Sequence, residues 1–315
     1  MTNRSFTRPA LLVKKPGQLS LLQDFGRYGV TQWGITSGGA VDSYSYGWAN
    51  HLLNNPPHSA ALEITLGQAE FMAQATCQLA LCGGDLQAKL DDEIVSNWSV
   101  FTMRQGQTLR FGLPKNGLRA YLAIKGGFDV SPQLGSRATV VKDKLGGLQS
   151  DGQPLQAGDI LPFHTHHCEQ PPRQVASRFQ PDYNQPVTLR VIESYQHDLF
   201  TPEAKATLYA QSFQVSQHCN RMGYRLSGQP ITPPQQPILS EGIALGAIQI
   251  PPDGQPIVLL NDRQTIGGYP KLGCVARVDL PRLAQAKPGQ QVQFEQGDLL
   301  QLQKLWCQWA TFFGY

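Results

Sequence analysis

The chain has 315 residues, 41% hydrophobic and 16% charged, with a formal net charge of +3; this length accommodates two ordinary domains, and the apolar content suffices to bury cores, which excludes a disordered chain. No lysine-arginine block and no interleaving of cations with aromatics marks a nucleic-acid surface, and no segment approaches the roughly 20 apolar residues of a membrane span, so a soluble, cytoplasmic chain with neither partner is expected. The 31 glycines and 23 prolines follow no period, which favours many short strands and turns, and the six scattered cysteines, with no Cys-x-x-Cys pair, fit reduced thiols.

In chain order, a first apolar strand, Gln18 to Leu22, runs into Gln23-Asp24-Phe25-Gly26-Arg27-Tyr28-Gly29. Gly34, Gly38 and Gly39 then lead to Asp42. Glycines let backbone approach a ligand, and Asp24 with Arg27 places opposite charges at the loop mouth. These two either contact a ligand or pair with each other and brace the loop; bracing is the simpler reading. Asp42 is positioned to cap a helix that carries Tyr44, Trp48, Ala49 and Leu52 on one face and stops at Asn54-Asn55-Pro56. Strand-length apolar runs follow at Ala61 to Leu66, Gln78 to Cys82, Gln107 to Phe111 and Ala120 to Ile124.

His164-Thr-His166-His167-Cys168-Glu169 contains good metal-ligand types. Adjacent histidines face opposite ways on a strand, and no second ligand cluster is evident, so no metal site is expected and the segment reads as exposed. The Pro- and Gln-rich stretch from Glu169 to Gln185 is the natural linker between domains at 11–168 and 186–305.

Beyond it, Val187 to Ile192 reads as a strand. Thr201-Pro202-Glu203 supplies a capping hydroxyl, a first-turn proline and an early acid for a helix over Ala204 to Ala210. Polar residues then gather at Arg221-Met-Gly-Tyr224-Arg225, Ser240-Glu241-Gly242, Gln249, and Asn261-Asp262-Arg263-Gln264-Thr265 with Gly267-Gly268-Tyr269-Pro270. The last group follows the strand Ile257 to Leu260, an arrangement that holds a polar loop on a rigid support. Two arginines can grip a carboxylate, Asp262 can accept or shuttle a proton, and Gln264, Thr265 and Tyr269 offer neutral hydrogen bonds to an amide or ureido group. The competing reading is a turn whose polar residues satisfy one another. A short helix is expected at Leu280 to Ala286 and a strand at Gln291 to Phe294. Trp306, Trp309, Phe312, Phe313 and Tyr315 crowd the end of the chain; packing onto their own domain is preferred to a docking surface.

The halves echo one another weakly, since Gly106-Gln-Thr-Leu-Arg-Phe111 matches Gly289-Gln-Gln-Val-Gln-Phe294. A phosphate loop, a Gly-x-Ser-x-Gly elbow and a Gly-x-Gly-x-x-Gly turn are missing, as is a Met-Lys-Met biotin-attachment segment.

Taken together, QDFGRYGVTQWGITSGGAVD, AALEITLG, LRAYLAIKGG, RMGYRLSG and ILSEGIALGAIQIPPDGQPIVLLNDRQTIGGYPKLG resemble the family of the 5-oxoprolinase C subunit. That family takes in the KipA-type proteins, the second subunit of allophanate hydrolase pairs and the C-terminal part of the urea carboxylase carboxyltransferase domain. The resemblance spans about Val13 to Phe294. It implies a mainly β chain of two cyclophilin-like β-barrel domains with a few short helices. It also implies partners: a KipI-type B subunit, together with a lactam-utilisation-type A subunit, acting with this chain in ATP-dependent opening of 5-oxoproline to glutamate. ATP is expected at the level of the complex, and biotin only through a separate carrier.

The family motifs point to Asp24, Arg27, Arg221, Tyr224, Arg225, Ser240 and Gln249 as substrate-binding residues. They point to Glu241, Asp262, Gln264, Thr265 and Tyr269 as catalytic ones. On this resemblance Arg221 or Arg225 takes the substrate carboxylate, Asp262 handles a proton, and Gln264, Thr265 and Tyr269 hold the amide oxygen. The alternatives are a carboxyltransferase acting on urea or a related amide, and a KipA-type regulator binding a kinase-inhibitor partner. One stretch departs from the family: between Gly146-Gly147-Leu148 and Gly158-Asp159 the chain has Gln149-Ser-Asp-Gly-Gln-Pro154 in place of an arginine-containing segment.

Overall fold

The computed structural model describes residues 8–164 and 173–315. The chain divides into two compact units, one formed by Met1–Gly26 with Ser45–Pro181, the other by Arg27–Tyr44 with Asp182–Tyr315. The boundary at 181/182 falls inside the Pro- and Gln-rich stretch. The expected simple succession of N- and C-terminal domains does not cover residues 27–44, which pack with the second unit. That stretch is tied to the second unit by the carbonyls of Gly38, Gly39 and Ala40, which accept from Asn261 and Arg221, and its Val30, Ala40 and Val41 are buried.

The first unit is built of two wholly antiparallel sheets. One runs in the order Ile160–Pro162, Ala10–Pro16, Ala69–Ala73, Thr108–Arg110, Lys89–Leu90, Glu93–Ile94; the other runs Leu19–Gln23, Ala61–Thr65, Asn116–Ile124, Cys77–Asp85, Ser99–Met103. Leu11, Val13 and Phe71 from the first sheet and Leu22, Leu62, Ile64, Leu79 and Leu122 from the second form one buried cluster. Ala61–Thr65 is buried on both faces, and its Glu63 is satisfied there by the Tyr121 hydroxyl, which donates to it at 2.7 Å. Gly83 in that core has φ +91°, and a Cβ there would lie 2.6 Å from the Arg119 carbonyl. Only glycine tolerates both conditions.

The second unit is a closed seven-strand barrel in the order Val187–Glu193, Lys271–Val275, Ala247–Gln249, Ile257–Leu259, Gly223–Ser227, Ser212–Cys219, Gln291–Gln296. The parallel pairing of Gln291–Gln296 with Val187–Glu193 closes it. Leu189, Val191, Phe213, Leu226, Ile248, Val258, Leu272 and Phe294 fill the interior. A separate two-stranded ribbon pairs Glu241–Gly242 with Ile266–Gly267. The mainly β expectation therefore holds, with full closure in the second unit and two open sheets in the first.

Four α-helices lie among the described residues: α1 (Ser43–Leu52), α2 (Pro202–Tyr209), α3 (Leu280–Ala284) and α4 (Leu299–Phe313). Thr201 caps α2 as its sequence requires, accepting the Ala204 N–H at 3.2 Å. Helix α4 was not foreseen. Asp298 caps it, accepting from Gln301 N–H at 2.9 Å, and Gly314 ends it at φ +80°. Leu302, Leu305, Trp306 and Trp309 pack it on Ala276 and Val278, and Arg277 lies over the Trp306 ring at 3.9 Å. The C-terminal aromatics thus pack on their own unit, as expected.

The sequence echo corresponds to a repeated turn. Gly106 and Gly289 sit at φ +88° and +85°, and each donates its N–H at 2.8 Å, to Ala73 O and Val215 O respectively. Gln107 accepts the Arg104 N–H on its side chain at 2.8 Å, and Gln290 accepts the Lys287 N–H at 3.1 Å. Two units using one turn chemistry at matching places are what a duplicated ancestor leaves.

No helix among the described residues is long and apolar enough to cross a membrane. No group of three His, Cys, Asp or Glu among them is placed to hold a metal ion. Of the histidine-rich segment only His164 is described, 3.4 Å from Asp129; His166, His167, Cys168 and Glu169 lie outside the described residues.

Candidate functional site

The barrel strand Ile257–Leu259 ends at Asn261-Asp262-Arg263, and the chain there is latched to the glycine-rich segment 27–44. Arg221 grips Asp262 with two hydrogen bonds, Nε to Oδ2 at 2.8 Å and Nη2 to Oδ1 at 2.9 Å, and donates from Nη2 to Gly39 O at 2.8 Å. Both residues are buried, 6% and 7% exposed. Asn261 Nδ2 donates to Gly38 O at 3.1 Å and Ala40 O at 3.2 Å. A bidentate pair with further carbonyl contacts is a rigid anchor. It leaves Asp262 with each oxygen occupied and Arg221 engaged on both sides, so this geometry holds the loop in place. The expected carboxylate grip by Arg221 is not what the structure presents.

The other expected arginine is also engaged: Arg225 Nη1 bonds Asp253 Oδ2 at 2.6 Å on the surface. Tyr224 is fully buried, its hydroxyl donating to Ala284 O at 3.1 Å; it belongs to the core. Asp24 is held within the first unit, accepting from Gly26 N–H at 2.8 Å, Ser136 Oγ at 2.6 Å and Arg137 N–H at 2.6 Å. Arg27 is buried in the second unit and donates its backbone N–H to Ser37 O at 2.8 Å. These residues are not brought into the cluster described next.

That cluster surrounds the ribbon. Ser240 and Glu241 lead into one strand, and Gln264 and Thr265 precede the other. The Thr265 carbonyl accepts the Ile243 N–H at 3.0 Å. Gly267 sits where a Cβ would lie 2.7 Å from Ile243 Cδ1, 3.3 Å from Gln249 Nε2 and 3.6 Å from Gln264 Nε2. Gly268 approaches Ser240 Oγ similarly, at 3.5 Å from its would-be Cβ. The tight approach at Gly267 is to Ile243, and Gln249, Gln264 and Ser240 lie around this same short turn. Gln249 is 1% exposed and its Nε2 has no hydrogen-bond partner among the described residues. Gln264 and Thr265 are partly exposed, and Ser240 and Tyr269 are exposed. The result is a patch of neutral donors at the barrel rim.

Glu241 supplies an anion to it. Lys271 Nζ lies 2.6 Å from Glu241 Oε1, Gln196 Nε2 donates to the same oxygen at 2.6 Å, and the Tyr195 hydroxyl donates to it as well. Gln196 is itself fixed, its Oε1 accepting the Lys271 N–H at 2.8 Å. The Lys271 hydrogen bond, aided by Tyr195, holds the Glu241 carboxyl below the ordinary glutamate range, and the shared proton raises Tyr195. Glu241 is therefore ionised at neutral pH.

Lys271, Gln196 and Tyr195 were not singled out from the sequence. Lys271 opens the apolar strand Lys271–Val275 and is only 4% exposed; a lysine that cannot reach water from a barrel strand needs a carboxylate, and this was the available signal. Tyr195 and Gln196 carry no such mark.

Proteins of known kind share this architecture. The chain is 36% identical over 290 residues to the protein of Escherichia coli named as the C subunit of 5-oxoprolinase, covering 92% of each chain. It is 33% identical to the Haemophilus influenzae protein of the same name, covering 90% of each. The crystal structure of Kluyveromyces lactis urea carboxylase is similar at a TM-score of 0.89 and 26% identity, covering 99% of this chain and 30% of that one. The family model described as carboxyltransferase domain, subdomain A and B, matches residues 33–296, which include the Gly38–Ala40 segment, the Arg221–Asp262 latch and the Glu241 ribbon, and the chain belongs to that family.

Proposed function

We propose that this chain is the C subunit of a 5-oxoprolinase and supplies the surface on which the lactam of 5-oxoproline is held while its C–N bond is opened to give glutamate. The observation that carries this reading is the near full-length likeness to proteins named as 5-oxoprolinase C subunits. The chemistry of the turn supports it. The side chains of Ser240, Gln264, Thr265 and Tyr269 make no hydrogen bond to another described residue, so their donors are available to an amide oxygen. Preorganised neutral donors of this kind stabilise charge developing on a carbonyl oxygen by roughly 3–4 kcal/mol each at best.

Opening the lactam adds water across the C–N bond: oxygen bonds the carbonyl carbon, the bond to nitrogen breaks, and nitrogen gains a proton. ATP belongs to the complex with the B and A partners. The cations beside this turn do not fit a triphosphate, since Lys271 is held by a carboxylate and Arg263 donates to the Ile243 carbonyl at 3.0 Å.

The test is glutamate release from 5-oxoproline and ATP by this chain co-purified with its B and A partners. Strict dependence on this chain is expected. Equal turnover without it rejects the reading. Absence of turnover, together with transfer of a carboxyl group from a separate carboxybiotin carrier to urea, moves the assignment to the carboxyltransferase relatives.

A further inference from the structure

The hydrogen bonds around Glu241 are lopsided. Lys271, Gln196 and Tyr195 all donate to Oε1, and no donor among the described residues reaches Oε2. Two of the three donors come from side chains that are 4% exposed, Lys271 and Gln196, while the Glu241 side chain is 32% exposed. An ion pair needs one contact. Three donors on one oxygen fix the plane of the carboxylate and leave the second oxygen as a stationary anionic acceptor, one that stays ionised and so does not serve as a proton donor at neutral pH. It stands on the ribbon strand opposite Gly267, where Gln264 Nε2 lies 3.6 Å from the position of a Gly267 Cβ. Donors for a carbonyl oxygen next to one acceptor match the two ends of an unsubstituted amide.

We infer that Glu241 Oε2 accepts the N–H of the ligand, and that the site therefore selects cyclic or ureido amides that keep an N–H and rejects their N-alkylated forms. Lys271, Gln196 and Tyr195 are positioning residues in this scheme; Glu241 is the group that touches the ligand. The inference rests on the amide reading above and does not require the ligand to be 5-oxoproline. A site built around a ligand N–H loses affinity steeply for the analogue that lacks it, because the acceptor is left desolvated and unpaired.

The experiment measures calorimetric binding of four lactams to the co-purified complex: 5-oxoproline, its N-methyl derivative, 2-pyrrolidinone and N-methyl-2-pyrrolidinone. Each N-methyl compound is expected to bind roughly 100-fold more weakly than its parent. Glu241→Gln, with circular dichroism and complex assembly unchanged, is expected to abolish that preference, whereas Tyr195→Phe, which keeps the Lys271 and Gln196 contacts, is expected to retain it. Equal binding of parent and N-methyl lactams overturns the inference, as does a folded Glu241→Gln complex that keeps the preference, and as does binding of none of the four. Glutamate release is read separately: its absence alongside an intact N–H preference rejects the oxoprolinase reading and leaves this one standing.

Discussion

Each oxygen of Asp262 meets Arg221, and the pair is buried. A carboxylate in that state is a structural member whose removal strands a buried guanidinium. Asp262→Ala is expected to destabilise the second unit by about 3–5 kcal/mol in chemical denaturation, while Arg221→Met with Asp262→Leu recovers much of that loss. A variant that loses activity with its stability intact, Asp262→Ala included, contradicts this assignment. Glu241 is the contrasting case, with one oxygen clamped and the other open. The sequence showed two acids in polar, glycine-bearing loops and could not distinguish them, because the difference lies in partners 41 and 45 residues away for the contacts to Arg221 and Gln196.

Among the elements, the repeated turn is the most testable. Gln290 accepts from Lys287 N–H and donates to Tyr183 O at 2.8 Å and Gln185 O at 2.7 Å; Gln107 accepts from Arg104 N–H and donates to Asp91 at 3.0 Å. At about 0.5–1.5 kcal/mol net for each hydrogen bond, Gln107→Ala with two bonds is expected to cost about 1–3 kcal/mol in thermal unfolding and Gln290→Ala with three about 1.5–4.5 kcal/mol. A loss at one turn and none at the other would show that the likeness is one of shape alone. Strands were legible where apolar runs were bounded by Gly, Pro or Asn, as at Ala61–Thr65 and Ile257–Leu259. The cap at Thr201 was legible for the same local reason. Helix α3 stops at Ala284, short of the expected Ala286. Helix α4 carries Leu302, Leu305, Trp306, Trp309 and Phe313 at helical spacing, a period that the glutamines and exposed aromatics between them obscure in the sequence.

In the whole molecule, residues 27–44 count with the second unit, and this was beyond local pattern because it depends on carbonyl oxygens of Gly38, Gly39 and Ala40 meeting Asn261 and Arg221. Asp42 in the same segment takes a hydrogen bond from Gln285 at 2.7 Å. A fragment of residues 182–315 alone leaves the buried Arg221 and Gln285 short of these partners. It is expected to give poorly dispersed amide resonances, and fusion of residues 27–44 through a flexible linker is expected to restore dispersion. A well-dispersed spectrum from 182–315 by itself would rule out the segment as an integral part of that unit.

The same segment has a consequence for synthesis on the ribosome. Gly39 and Arg221 are 182 residues apart in sequence, so at about 5–20 residues per second a nascent chain carries the glycine-rich segment for roughly 10–40 s before its partner emerges. Throughout that interval its Tyr44 is without the Trp309 and Phe313 rings it packs against. The second unit is therefore the last to mature, and its segment 27–44 is the place where a chaperone has longest to act.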